Sequence, residues 1–279
     1  MGKIYLKTYF HMPHEFKWLN LHLREGYEHV DGFIFCEFNR THTGHTKGYI
    51  WDENMHVLDK DKLDKVHYFP VDLSDKAVIS DEDTIHKVNV PLMRSAFMEC
   101  MSFDPDDIII SVDADEIIYG EALPAIIDAV RQTGCLRLDM HQFFYKVNYL
   151  WEQKNWDPAI ACRFGYYTHR NPPAGHVAHQ WRYEGSAPKT PMRVGCHFSW
   201  VMDIDEMVHK GQIAGHIKYA PQANKENLKY CVENRLYFPD RKQLPIRILD
   251  FKNNEILPRK MVADHCMWED YIFNGGAEE

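Results

Sequence analysis

Apolar positions along the first half of the chain switch between a period of two and a period near three and a half. Ile4-Tyr5-Leu6-Lys7-Thr8-Tyr9-Phe10 reads as a strand, after which Phe16, Leu19 and Leu23 recur at helical spacing until Gly26. Phe33-Ile34-Phe35-Cys36 is a continuous apolar run, as expected of a strand covered on both faces of a parallel sheet. A polar loop, Glu37 to Lys47, follows. Val66 to Phe69 predicts a third short strand stopped by Pro70, and Val88, Leu92, Ala96 and Phe97 give the next segment a helical stripe. Ile108-Ile109-Ile110-Ser111-Val112 is the strongest strand signal in the chain. Strand, helix and strand in this order predict right-handed crossovers and a Rossmann-like, doubly wound, mostly parallel sheet, whose ligands lie beyond the carboxyl ends of the strands.

Beyond Leu136 to Tyr145 the pattern turns irregular and rich in Trp, Tyr, His and Pro, including Asn171-Pro172-Pro173-Ala174-Gly175. Asp205 to Tyr237 predicts helices, and no internal repeat interrupts the chain. The expectation is one α/β domain over residues 1–279, with its halves meeting near Gly134.

Composition narrows the classes. With 279 residues and 45% hydrophobic content the chain can bury a large core, and a formal charge of -9 argues against nucleic acid as a partner. The seven cysteines are scattered without a C-x-x-C pair, so neither a zinc knuckle nor a disulfide framework is expected, and a reducing compartment fits best. The first strand begins after three residues, which leaves no room for a secretory leader, and no apolar run is long enough for a membrane span. A soluble, cytoplasmic protein is therefore expected, in which the Asn39-Arg40-Thr41 sequon stays unmodified.

Candidate chemistry centres on Asp113-Ala114-Asp115, directly after the strongest strand. In extended chain, residues two apart project to the same side, so both carboxylates face one point, a donor set that suits Mg²⁺ or Mn²⁺ with water and phosphate completing the shell. Asp59/Asp61, Asp81/Asp83, Asp104/Asp106 and Asp203/Asp205 share the spacing but not the buried strand before it. Glu116 is expected to begin the next helix, with a place as third participant beside the two acids as the alternative.

The polar loop adds a more specific signal. Its pattern, E-x-N-x-T-x-T-G-x-x-K over Glu37 to Lys47, resembles the signature loop of glycosyltransferase family 17. Arg94 before the acidic strand, D-A-D-E-I at Asp113 to Ile117, and G-x-H-x-S-W at Gly195 to Trp200 follow in the order the family shows. Members often carry G-W-H where this chain has Gly195-Cys196-His197. The family includes enzymes that add the bisecting N-acetylglucosamine to N-glycans.

The resemblance implies a GT-A fold with an acceptor-side second half, a UDP-sugar donor, typically UDP-N-acetylglucosamine, a glycan or glycoprotein acceptor, and inversion at the anomeric carbon. It implies Mn²⁺ or Mg²⁺ on Asp113 and Asp115, with His197 as a further ligand. Thr8 and Glu37 are then expected at the uracil and ribose, and Asn39 among the donor-binding groups of the loop. Lys47, Arg94 and His216 are expected at the diphosphate.

An inverting transfer also needs a general base at the acceptor hydroxyl. Glu184, Asp139 and Asp203 are the candidates, with Glu184 preferred for its Trp181-Arg182-Tyr183 setting. Trp151, Trp156, Trp181 and Trp200 are candidate platforms for sugar faces, Trp181 and Trp200 foremost. The pairs His11/His14, His42/His45 and His176/His179 have zinc-like spacing but lack the remaining ligands. Two other readings use the same acids: a nucleotidyltransferase or metal phosphohydrolase, and a non-catalytic glycan- or nucleotide-binding module.

Overall fold

The computed structural model describes residues 2–77, 85–168, 187–214 and 217–275. Two sheets share the chain. The first has the order β3-β2-β1-β4-β9-β6, formed by β1 (Ile4–Phe10), β2 (Gly32–Phe38), β3 (Val66–Val71), β4 (Ile108–Ser111), β6 (Cys135–Arg137) and β9 (Ile160–Arg163). β1 lies parallel to β2 and β4, and β2 parallel to β3, while β9 runs antiparallel to both of its neighbours. The second sheet, β11-β8-β7-β10-β5, takes β5 (Glu116–Ile118), β7 (Met140–Phe144), β8 (Tyr149–Trp156), β10 (Gly195–Ser199) and β11 (Ile246–Ile248). In it β10 runs parallel to β7, and the other pairs are antiparallel.

Alternation along β1 explains why both faces of the first sheet are covered. Leu6 and Phe10 pack with Phe16, Leu19 and Leu23 of α1 (Glu15–Gly26), whereas Tyr5 and Tyr9 face Met93 of α2 (Val90–Ser95) and Phe97. The predicted helical stripe is broken into a π turn at Ile85–Asn89, α2, and a last turn at Phe97–Cys100. α3 (Leu123–Thr133) adds Leu123, Ile126, Ile127 and Val130 to the α1 side and ends on Gly134, whose φ of 83° suits glycine.

Several expectations change. Pro70 does not stop β3 but lies within it, opposite Glu37; β3 is an edge strand, where a missing N–H is tolerated. The region after Tyr145 is not irregular throughout, because β8 and β11 extend the second sheet and β9 returns to the first. Glu116 opens a strand rather than a helix. The predicted helical tail is divided into α4 (Ile204–Ile213), a 3₁₀ turn at Ile217–Tyr219 and α5 (Lys225–Asn234). Cys135 and Cys162 are joined in a disulfide: they stand directly opposite on β6 and β9, a proximity that sequence spacing does not reveal. The Asn171-to-Gly175 stretch and the Asp81/Asp83 pair lie outside the described residues. Among the described residues no helix is long and apolar enough to cross a membrane.

The polar loop after β2 is organised around one side chain. Glu37 is fully buried, and its carboxylate accepts from the Ile50 N–H at 2.6 Å, the Trp51 N–H at 3.2 Å, Lys47 Nζ at 3.2 Å and the Tyr68 hydroxyl at 2.8 Å. Truncation leaves four buried or half-buried donors without their acceptor, so Glu37→Ala should destabilise the fold by about 3 kcal/mol or more. Urea unfolding measures this, and a loss below about 1 kcal/mol would contradict the role.

Candidate active site

β4 belongs to the first sheet and β5 to the second, and Asp113-Ala114-Asp115 occupies the passage between them. The turn is held from three sides. Glu116, fully buried, accepts the Asp113 N–H at 2.6 Å through Oε2 and the Trp156 indole N–H through Oε1. His22 of α1 donates from Nε2 to the Ala114 carbonyl at 3.1 Å. The Asp115 carbonyl accepts the Phe198 N–H of β10 at 2.8 Å. With the backbone fixed in this way, both carboxylates reach a cavity of about 400 Å³ beyond the carboxyl end of β4.

Cationic and imidazole groups meet the acids there. Arg94 of α2 places Nη2 at 3.1 Å from Asp113 Oδ2. Asp115 lies 3.6 Å from His197 Nε2 and 3.5 Å from Nζ of Lys210 on α4. His197 Nδ1 stands 2.8 Å from Gln142 Oε1, which as an acceptor requires the proton on Nδ1 and leaves the Nε2 lone pair toward Asp115. Trp156 stacks on the same ring with centroids 4.1 Å apart, and burial pushes the His197 pKa down, so the imidazole is neutral.

A carboxylate oxygen beside a neutral imidazole nitrogen is a donor pair that fits a divalent cation, with Gln142 fixing the ligand's tautomer from behind. Asp113 is turned to Arg94 and does not converge as closely. Among the described residues, the set whose ligand atoms all lie within 4.8 Å of one another is His265, Cys266 and Glu269, which does not line this cavity.

The cavity's walls differ in character. On the first-sheet side stand Tyr9, His11, His42 and Arg94; on the second-sheet side stand Phe144, Trp151, Trp200, Tyr237 and Phe238. The second-sheet side carries most of the large aromatic side chains, together with Gln142, Lys154, His197 and Ser199.

Of the residues singled out from sequence, Asp113, Asp115, His197, Arg94, Trp151, Trp156 and Trp200 are brought to this cavity. Thr8, Glu37, Asn39 and Lys47 do not line it. Thr8 is fully buried, with its hydroxyl 3.4 Å from the Tyr9 carbonyl, and Asn39 ties Leu73 to Asp72 and Ser74. Lys47 is held by Glu37 and the Gly48 carbonyl.

Asp139 is buried against Lys189, 3.1 Å away, and Asp203 caps α4 in a reciprocal bond with Glu206. Neither lines the cavity. Glu184, His216, Trp181 and the pair His176/His179 lie outside the described residues. His14 pairs with Glu206 at 3.4 Å, and neither it nor His11 belongs to a set of three close metal-ligating groups among the described residues. Sequence reasoning gave no role in the site to Gln142, Glu15, or His11 and His42 together. The last two follow β1 and β2, where the rule of strand carboxyl ends points.

The model of the family described as Glycosyltransferase family 17 matches residues 9–180, more than half of the chain, from the end of β1 past the acidic turn. No curated protein matches the sequence. Among solved structures, the crystal structure of S. aureus TarS 1-349 is similar with a TM-score of 0.40 and 11% identity, over 84% of this chain and 71% of that one.

Burial beneath the acidic turn has a measurable cost in acid. His22 is 1% exposed, and desolvation lowers its pKa from 6.5 to about 4 against the opposing pull of the Ala114 carbonyl. The unfolded chain therefore binds a proton at this position between pH 6.5 and about 4 while the folded chain does not, so stability falls as pH falls through that window. From pH 7 to pH 5 the loss due to His22 should be about 2 kcal/mol. His22→Gln, which keeps a donor for Ala114, should show a correspondingly smaller difference between urea unfolding at the two pH values. An unchanged difference would count against it.

Proposed function

This chain belongs to glycosyltransferase family 17, and we propose that it is a GT-A, divalent-metal-dependent enzyme that transfers a sugar, N-acetylglucosamine by the family's type, from a UDP-sugar to a glycan hydroxyl with inversion. The observation that carries the reading is the meeting of Asp115 with His197 Nε2 and Lys210 Nζ at the sheet junction, with Asp113 and Arg94 beside them.

In this reading Asp115 and His197 hold Mn²⁺ or Mg²⁺, with Asp113 next to them. When bound, the cation neutralises charge on the departing diphosphate. Arg94 and Lys210 would meet the diphosphate beside the two acids, Arg94 as a planar fork and Lys210 as a point charge, and each would stabilise the negative charge that grows as the anomeric bond breaks. Asp113 keeps Arg94 extended into the cavity before the donor arrives. Trp156 and Gln142 fix the ring of His197, so little reorganisation accompanies binding.

The aromatic wall supports a pyranose acceptor. Apolar C–H faces of a sugar pack on Trp151, Tyr237 or Trp200, while its hydroxyls keep water or polar partners at the mouth. Asp139 and Asp203 are engaged by Lys189 and by the α4 cap, so Glu184 retains the role of general base in this reading.

Asp115→Ala should lower transfer by at least about a thousandfold and remove metal-dependent donor binding with little change in urea stability. Glu184→Gln should lower turnover by about a hundredfold or more at unchanged donor affinity. A panel of nucleotide sugars with Mn²⁺ or Mg²⁺, read by thermal shift and by turnover with and without glycan, checks both. Full activity of Asp115→Ala would remove the mechanism, and nucleotide-sugar cleavage indifferent to any acceptor would favour a phosphohydrolase instead.

A further inference from the structure

The two ends of the cavity are chemically unlike, and one end carries groups that the transfer chemistry does not use. His11 is 9% exposed, lines the cavity, and has neither ring nitrogen hydrogen-bonded; His42, beside it, has an unpartnered buried Nε2. The two rings meet edge to face with centroids 4.4 Å apart, and Tyr9 and Phe38 pack on the His11 ring at 5.5 and 5.7 Å. Packing thus accounts for the ring faces and not for the nitrogens. Buried polar atoms left without partners on the wall of a cavity mark a place where something else can supply the bond.

We propose that His11 and His42 read the nucleobase of the donor through its hydrogen-bonding edge, an assignment that rests on the glycosyl-transfer reading above and fixes the direction in which the donor lies. Burial holds both imidazoles neutral, with the His42 pKa down at about 4. A neutral imidazole offers one N–H donor and one bare nitrogen acceptor, so the pair suits a ligand edge that carries both kinds of group and is ill suited to a phosphate. The cations for the phosphates, Arg94 and Lys210, line the same cavity close enough to act on His42, so a diphosphate held by them lies beside the pair.

A nucleotide sugar has two neutral ends, the base and the sugar. The sugar must meet the acceptor, which the aromatic wall of the second sheet receives. The opposite end, built by residues that follow β1 and β2, is left for the base. Uracil, whose edge presents an N–H between two carbonyl oxygens, matches what the two rings offer. Glu37 and Thr8, expected from sequence at the nucleoside, are engaged inside the first sheet and its loop.

The test compares UDP with inorganic pyrophosphate, which lacks base and ribose, by titration calorimetry in the presence of Mn²⁺. His11→Phe and His42→Phe keep an aromatic ring in place and remove the nitrogens. Each should weaken UDP by about tenfold while pyrophosphate changes by less than about twofold. In the wild-type protein labelled with ¹⁵N-histidine, UDP but not pyrophosphate should shift the signals of both imidazoles, a readout that does not depend on the variants folding. UDP affinity unchanged in both variants, or UDP and pyrophosphate weakened in equal proportion, overturns the base assignment and leaves glycosyl transfer standing. A wild-type protein that binds no nucleoside diphosphate overturns both.

Discussion

Two carboxylates on one short turn repel each other and resist leaving water, so such a turn holds its shape only where the backbone between them is fixed by other groups. Here Glu116 grips the Asp113 amide, His22 the Ala114 carbonyl and Phe198 the Asp115 carbonyl. Each comes from a different element: the strand that follows, the first helix and the late strand β10. The passage from one sheet to the other is thereby pinned at three consecutive residues. The positions of Arg94, His197 and Lys210 have meaning only relative to that fixed point.

Glu116 couples this frame to the chemistry. One oxygen holds the turn and the other holds the indole of Trp156, which stacks on His197. A single buried carboxylate therefore sets both the acidic backbone and the plane of the neighbouring imidazole. Gln142 completes the arrangement through Nδ1 of that ring. None of these three residues has to touch a substrate to matter.

The parallel half of the fold was legible because its signals are local: unbroken apolar runs at Phe33 to Cys36 and Ile108 to Val112, and a helical stripe at Phe16, Leu19 and Leu23. The acidic turn was legible for the same reason, since it follows the strongest strand directly. What escaped was set by pairing between distant segments. β9 enters the first sheet beside β4, and Cys135 comes to face Cys162, through register that no nearby residue announces. Lys47 and Asn39 bond back into their own loop and its neighbours, and polarity alone does not tell whether a side chain does so or points to a cavity. Spacing along the chain pairs His11 with His14 and His42 with His45, whereas His11 and His42 meet each other across two strand ends.

The loop behind Glu37 carries a polar signature that is wired largely into itself. Its Asn, Lys and Glu side chains form an inward-wired circuit, each bonded to neighbours in the loop or the strands beside it. Variation at Asn39 or Lys47 therefore acts first on how much correctly assembled protein a cell retains. A phenotype arising there reports abundance before it reports reactivity.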